Sequence, residues 1–190
     1  MDNLYKMVEK FVVDSFVSRG MAGDLVYLQD TAVQLKRIYP EADEILLSAA
    51  VARDIERCFR QPDVQKIKVE RGLLDEEFLT LHQNRGAEII KNFLESQKVD
   101  PLVIDRITDL IANHEVGGDK EKDLLKDADC LSFFEKNIDH FLKVVVLELG
   151  FDKVKEKFDW MYSRITTPEA KGITKPLYEE AIKKLLTTSH

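Results

Sequence analysis

With 190 residues, of which 44% are hydrophobic and 33% charged, the chain has enough apolar side chains for a real core, and 8 Gly and 5 Pro leave no low-complexity or linker-like stretch. The formal net charge is -7 with acidic and basic residues interleaved, so no basic block is available to track a phosphate backbone and nucleic acid is not an expected partner. A local basic pocket for a small phosphorylated molecule stays compatible with that charge, which describes the whole surface and not one cleft.

The first segment, Met1 to Phe11, carries Asp2 and Glu9 on an amphipathic pattern, unlike the basic-then-apolar order of a signal peptide. The longest apolar run, Val144 to Leu147, is far shorter than the roughly 20 residues of a membrane span. Cys58 and Cys130 stand far apart in helical contexts, which suits reduced thiols. These features predict a soluble cytoplasmic chain without a membrane partner, and they leave homo-oligomerisation open.

Apolar residues recur at spacings of three and four, and alternating strand patterns are missing, so the expected fold class is all-α with eight or nine helices and no sheet. A first helix is predicted over 2–19, ending at Gly20, and a second over 24–39, with Asp24 as N-cap and Pro40 beyond its end. A third covers 41–59, where Ile45, Leu46, Ala49, Ala50, Ala52 and Ile55 give a wide apolar face and a central position. The segment 60–74, with Pro62 and Gly72, lacks firm periodicity and reads as an excursion between helices. Further helices are predicted over 75–95, over 100–114 from an Asp100-Pro101 start, and over 121–137, 139–149, 152–166 and 168–186. The whole, 1–190, reads as one domain. Its last stretch carries Phe158, Trp160, Met161, Tyr162 and Ile165 on faces suited to packing onto the rest.

Asp54, His82, His114 and Asp129 stand out because each puts an acidic or imidazole group at a helix end or on an otherwise apolar helix face. Asp54 follows the run LLSAAVAR, where an unpartnered buried charge would be costly. His140 reads as a residue near a helix start, and His190 as a terminal one. Cys58 and Cys130 read as small core residues.

The order and surroundings of those four resemble the HD superfamily of metal-dependent phosphohydrolases over residues 20–140. Residues 49–57, AAVARDIER, resemble the His-Asp doublet region, with Asp54 matching the Asp and Arg53 standing where the doublet His belongs. Residues 82–90, HQNRGAEII, match the segment in which a His precedes a Gly-Ala pair by four residues. IANHE at 111–115 resembles the helix end that supplies another His in two-metal members, and Lys126-Asp127-Ala128-Asp129 the segment that supplies the closing Asp. In YLQDTAVQLKRI, Tyr27 falls where the family's first His is expected.

The resemblance implies an HD-like helical bundle over 20–140 with additional helices at 141–190 packed on it. It implies Asp54, His82, His114 and Asp129 as metal ligands, with Asp54 and Asp129 catalytic, and Arg53, Arg85 and Lys126 as candidate phosphate contacts. Neither a phenol nor a guanidinium is a useful ligand, so the family's first metal position has lost two ligands, at Tyr27 and Arg53. Asp54, His82 and His114 remain as a set for a second ion: Mn, Fe, Ni, Zn or Mg. Arg53 is expected to point into the cleft and pair with Asp54, Asp129 or both in place of that metal. Two functions follow: a metal-dependent phosphohydrolase for a nucleotide or other phosphate ester, or an inactive HD-like module, with or without metal, that binds a phosphorylated ligand or a protein.

Overall fold

The structure is a computed structural model that describes residues 3–188, so His190 lies outside the described residues. Its helices are α1 (Leu4–Ser18), α2 (Leu25–Ile38), α3 (Glu44–Ala52), α4 (Glu56–Phe59), α5 (Pro62–Arg71), α6 (Glu76–Ser96), α7 (Pro101–Ala112) and α8 (Lys120–Lys136). There follow α9 (Ile138–His140), a π-helical turn (Phe141–Val145), α10 (Val146–Leu149), α11 (Phe151–Ser163) and α12 (Pro168–Thr188). The fold is all-α, with no strand among the described residues and no helix long and apolar enough to cross a membrane.

The central element is α3. Ser48 to Ala52 are all buried on it, and α1, α2, α7 and α8 pack around it. Small side chains account for this: a helix of Ala and Val lets four neighbours approach closely and share one core. Two close partnerships complete the frame, α2 against α8 and α6 against α7. The last helix lies on α8 and α11 through Ala170, Thr174, Ala181 and Leu185, buried at helical spacing. Phe158, Met161 and Ile165 are buried as expected for the end of the chain, with Trp160 and Tyr162 packed at the edge of the core.

Three local expectations are corrected. The segment 60–74 is not an excursion without structure, because α5 occupies most of it. Only Val64 is buried there, so the helix has almost no apolar stripe to read. Its signals are Pro62 in the first turn and Gly72, at φ 101, at the end. The helix expected over 41–59 is broken: α3 stops at Ala52, and a turn at residues 53–55 leads into α4. Asp24 does not cap α2 with its side chain. Its carboxylate instead lies 3.5 Å from Arg57 Nη2. By contrast Asp100 accepts from the Leu102 amide with Pro101 in the first turn, as the sequence predicts.

Candidate functional site

The turn at 53–55 builds the site. Hydrogen bonds from the Ile55 amide to Ala52 O (2.9 Å) and from the Arg57 amide to Asp54 O (3.0 Å) hold it, and both Arg53 and Asp54 face the interior, with relative exposures of 0% and 8%. Helix α6 comes close because Gly86 sits against the turn. A Cβ at Gly86 would lie 3.4 Å from Arg53 O and 3.5 Å from an Ile111 methyl, so nothing larger than a methyl group fits. One turn earlier on the same helix, the same approach brings His82 over Asp54.

His82 lies between two carboxylates, with Nδ1 2.8 Å from Glu56 Oε2 and Nε2 2.9 Å from Asp54 Oδ1. His114, at the end of α7, donates from Nδ1 to the Ile111 carbonyl at 2.7 Å, since a carbonyl can only accept. Its ring stands edge-on to His82 with centroids 5.6 Å apart. Asp54, His82 and His114 thereby offer one ligand atom each, all within 4.8 Å of one another, and all three are buried. Burial opposes charge on His82, but hydrogen bonds with Asp54 and Glu56 outweigh it and raise its pKa. Burial, with His82 adding to it, pushes His114 down to about 4. Asp54 resists burial in the same way: the His82 hydrogen bond and the charges of Arg53 and Arg57 hold it well below the usual carboxylate range.

This donor set fits a divalent cation. Both imidazoles have Nδ1 tied to an oxygen acceptor, which fixes the ring, the outer-shell arrangement usual for metal-bound histidine; Nε2 of His82 meets Asp54 Oδ1 at 2.9 Å, a contact that an ion between them would replace.

The surroundings of Asp129 are different. Its Oδ1 accepts from Tyr27 Oη at 2.5 Å and Arg53 Nε at 2.7 Å, and its Oδ2 from Arg164 Nη2 at 2.9 Å. Arg53 also donates to Ala50 O at 2.9 Å, lies 4.5 Å over the Tyr27 ring, and places Nη2 3.7 Å from Asp54 Oδ2. Burial and the Asp129 charge raise the Tyr27 pKa well above its ordinary value, so the phenol remains a donor. With both oxygens covered by cations and a phenol, Asp129 does not fit a metal ion; Arg53 points inward and pairs with Asp129 and Asp54 as expected, and, fully buried there, it does not line the cavity as the phosphate contact it was also expected to be. Asp129 borders the same cavity as Asp54 and His82, so the four residues converge, but only three of them form a ligand set.

The basic residues divide differently from the expectation. Arg85 forms a bidentate pair with Asp63 at 2.6 and 2.8 Å on the outer face of α5 and α6, and Lys126 pairs with Asp123 at 2.9 Å beside Gly117. Neither lines the cavity of about 130 Å³ that opens over Asp54. Arg57, Arg60, Lys68 and Lys157 do. His140 is exposed and apart from the site, and both cysteines are free buried thiols.

A family model described as a domain of unknown function (DUF4202) matches residues 13–163. The chain belongs to this family. No curated protein and no solved structure matches it. The DUF4202 span takes in the turn, both histidines and Asp129, and it ends one residue before Arg164.

Arg164 is one site residue that sequence reading misses. Asp127 accepts from the Thr166 and Thr167 amides at 2.8 and 2.7 Å, which pins the α11–α12 corner to α8 and delivers Arg164 to Asp129 and Glu115. Glu56 is missed as well, although it stands two residues after Asp54 in the same ARDIER run.

Proposed function

We propose that this DUF4202 chain is a relative of the HD superfamily that retains one divalent-metal centre and acts on phosphate esters. The observation that carries the reading is the convergence of Asp54, His82 and His114 with both Nδ1 atoms held by oxygen. Those three residues would hold the ion, with Glu56 and the Ile111 carbonyl orienting the rings. Two imidazoles beside one carboxylate suit Mn, Fe, Ni or Zn better than Mg, which prefers oxygen. An ion bound there supplies Lewis acidity to a phosphoryl oxygen.

The chain's own groups do the rest. Arg57, with Nη1 3.8 Å from Asp54 Oδ2, borders the ligand set and presents a fork suited to two phosphoryl oxygens. Glu115 lines the cavity, with Oε1 3.6 Å from His114 Nε2, and its side chain accepts no hydrogen bond from the described residues apart from the ion-pair contact with Arg164. It is therefore better placed than Asp129 to take a proton. Two reduced, buried thiols suit a cytoplasmic setting.

A second reading, a catalytically silent module for a phosphorylated ligand, is favoured by the way Tyr27, Arg53 and Arg164 saturate Asp129. A panel of phosphate esters with Mn²⁺ separates the two. Turnover by wild type that disappears in Asp54→Asn, His82→Asn and His114→Asn supports the enzyme. Ligand binding without turnover selects the silent module, and no binding of metal or phosphate contradicts both.

A further inference from the structure

The cations around the cavity are unevenly balanced. Arg60 is fully engaged, with Nη2 2.7 Å and Nε 3.0 Å from Glu56 Oε2. Arg57 makes only long contacts, 3.5 Å to Asp24 and 3.8 Å to Asp54. Lys68 on α5 has no ion pair among the described residues. Lys157 on α11 has none either, its ammonium resting 4.2 Å over the Trp160 ring. All three line one cavity from three different helices. They also repel one another: Arg60 and Arg57, after burial, lower the proton affinity of Lys68, and Arg57 acts in the same direction on Lys157. Arg57 is thus the neighbour common to both lysines.

Two half-buried lysines without an ion pair, beside an arginine held only by long contacts to Asp24 and Asp54, leave positive charge at one side of a cavity whose carboxylates, Asp54, Glu115 and Asp129, are engaged by other groups, which suits an anion supplied from outside. One phosphate monoester brings at most about two negative charges, whereas two linked phosphates bring about three. The cavity, at about 130 Å³, holds roughly ten times the space that one water needs, which is room for more than a single ion.

We propose that this cavity contains a metal-independent subsite for an oligophosphate chain, its phosphates spread along Lys68, Arg57 and Lys157. The proposal narrows the substrate class of the reading above and rests on it for the chemistry, but the subsite itself needs no metal. An oligophosphate is preferred over a simple monoester because it brings more charge, and more phosphoryl oxygens, to cations presented by α4, α5 and α11.

The test is calorimetric titration of the full chain with tripolyphosphate and, separately, with orthophosphate, in EDTA at fixed ionic strength. Tripolyphosphate is expected to bind at least about tenfold more tightly, with Lys68→Gln and Lys157→Gln each weakening it by about tenfold, the loss expected for a charged contact. Lys66→Gln, on the same helix but 71% exposed and facing Glu70, should leave binding unchanged. Equal affinity for the two anions, or lysine variants that bind like wild type while melting like it, overturns the proposal. So does a Lys66→Gln effect as large as that of Lys68→Gln, which would reduce the binding to general surface charge. A parallel Mn²⁺ titration without phosphate keeps the failures apart: tripolyphosphate binding without Mn²⁺ uptake upholds the subsite and removes the metal centre, and Mn²⁺ uptake without tripolyphosphate binding does the reverse.

Discussion

Replacing Arg53 by Ala removes a side chain that is 0% exposed. It deletes the 2.7 Å bond to Asp129, the 2.9 Å bond to Ala50 O and the stacking on Tyr27. Breaking a buried ion pair by removing one partner costs roughly 3–5 kcal/mol, because a desolvated charge is left behind. Arg164 still covers Asp129 Oδ2 at 2.9 Å, so the lower end applies, about 3 kcal/mol. For a chain of this size that corresponds to a fall in Tm of about 6–12 °C. Urea unfolding followed by circular dichroism in EDTA measures it. In a double-mutant cycle with Asp129→Asn, which keeps an acceptor oxygen beside Tyr27 and Arg164, the double variant should lose less stability than the sum of the two single losses, the signature of a coupled buried pair. A loss below about 1 kcal/mol for Arg53→Ala, or strict additivity in the cycle, would refute the view that this guanidinium neutralises Asp129 in place of a metal.

Three further outcomes follow from the packing and the charges. Gly86→Val should disturb the 53–55 turn, where only a methyl group fits between Arg53 O and Ile111; it is expected to cost about 1–3 kcal/mol by overpacking, whereas Gly86→Ala should be tolerated, and thermal melts distinguish them. Asp127→Ala removes the acceptor for the Thr166 and Thr167 amides and should loosen α12 before the rest of the chain, visible as faster hydrogen exchange there than in α3. Lys157 is lowered to about 8, chiefly by burial, with Arg57 adding to the effect while Asp129, Cys130 and Asp54 oppose it; tripolyphosphate affinity should therefore be full below that pH and fall as pH rises through it, and Lys157→Gln should remove this dependence in titrations from pH 7 to 9.

Much of the fold was legible because helical periodicity is a local property. The expectation failed where burial is slight or where a side chain turns inward for a distant reason. Helix α5 buries only Val64 and so shows no stripe. The break after Ala52 falls between helix-compatible residues with no Gly or Pro to mark it, and what it serves is the pairing of Arg53 with Asp129, which is 76 residues away. At the site, Asp54, His82 and His114 were readable because imidazole and carboxylate on apolar faces are unusual. Arg164, Lys68 and Lys157 were not, since a basic residue on an amphipathic helix ordinarily reads as a solvated face. Only the packing of α5 on α6 and of α11 on α8 and α12 brings them to the site. Arg85 and Lys126 mislead for the complementary reason: adjacent to motif residues in sequence, they project away from the cavity into local ion pairs.

The central claim is that Asp54, His82 and His114 form one working metal site while the position around Asp129 is closed. Calorimetric titration of chelator-stripped protein with Mn²⁺ and Zn²⁺, on wild type and on His114→Asn, tests it most directly. One equivalent per chain in wild type, lost in His114→Asn while Asp129→Asn retains it, is the predicted result. No saturable uptake by wild type, or uptake that survives in His114→Asn but vanishes in Asp129→Asn, would contradict the account.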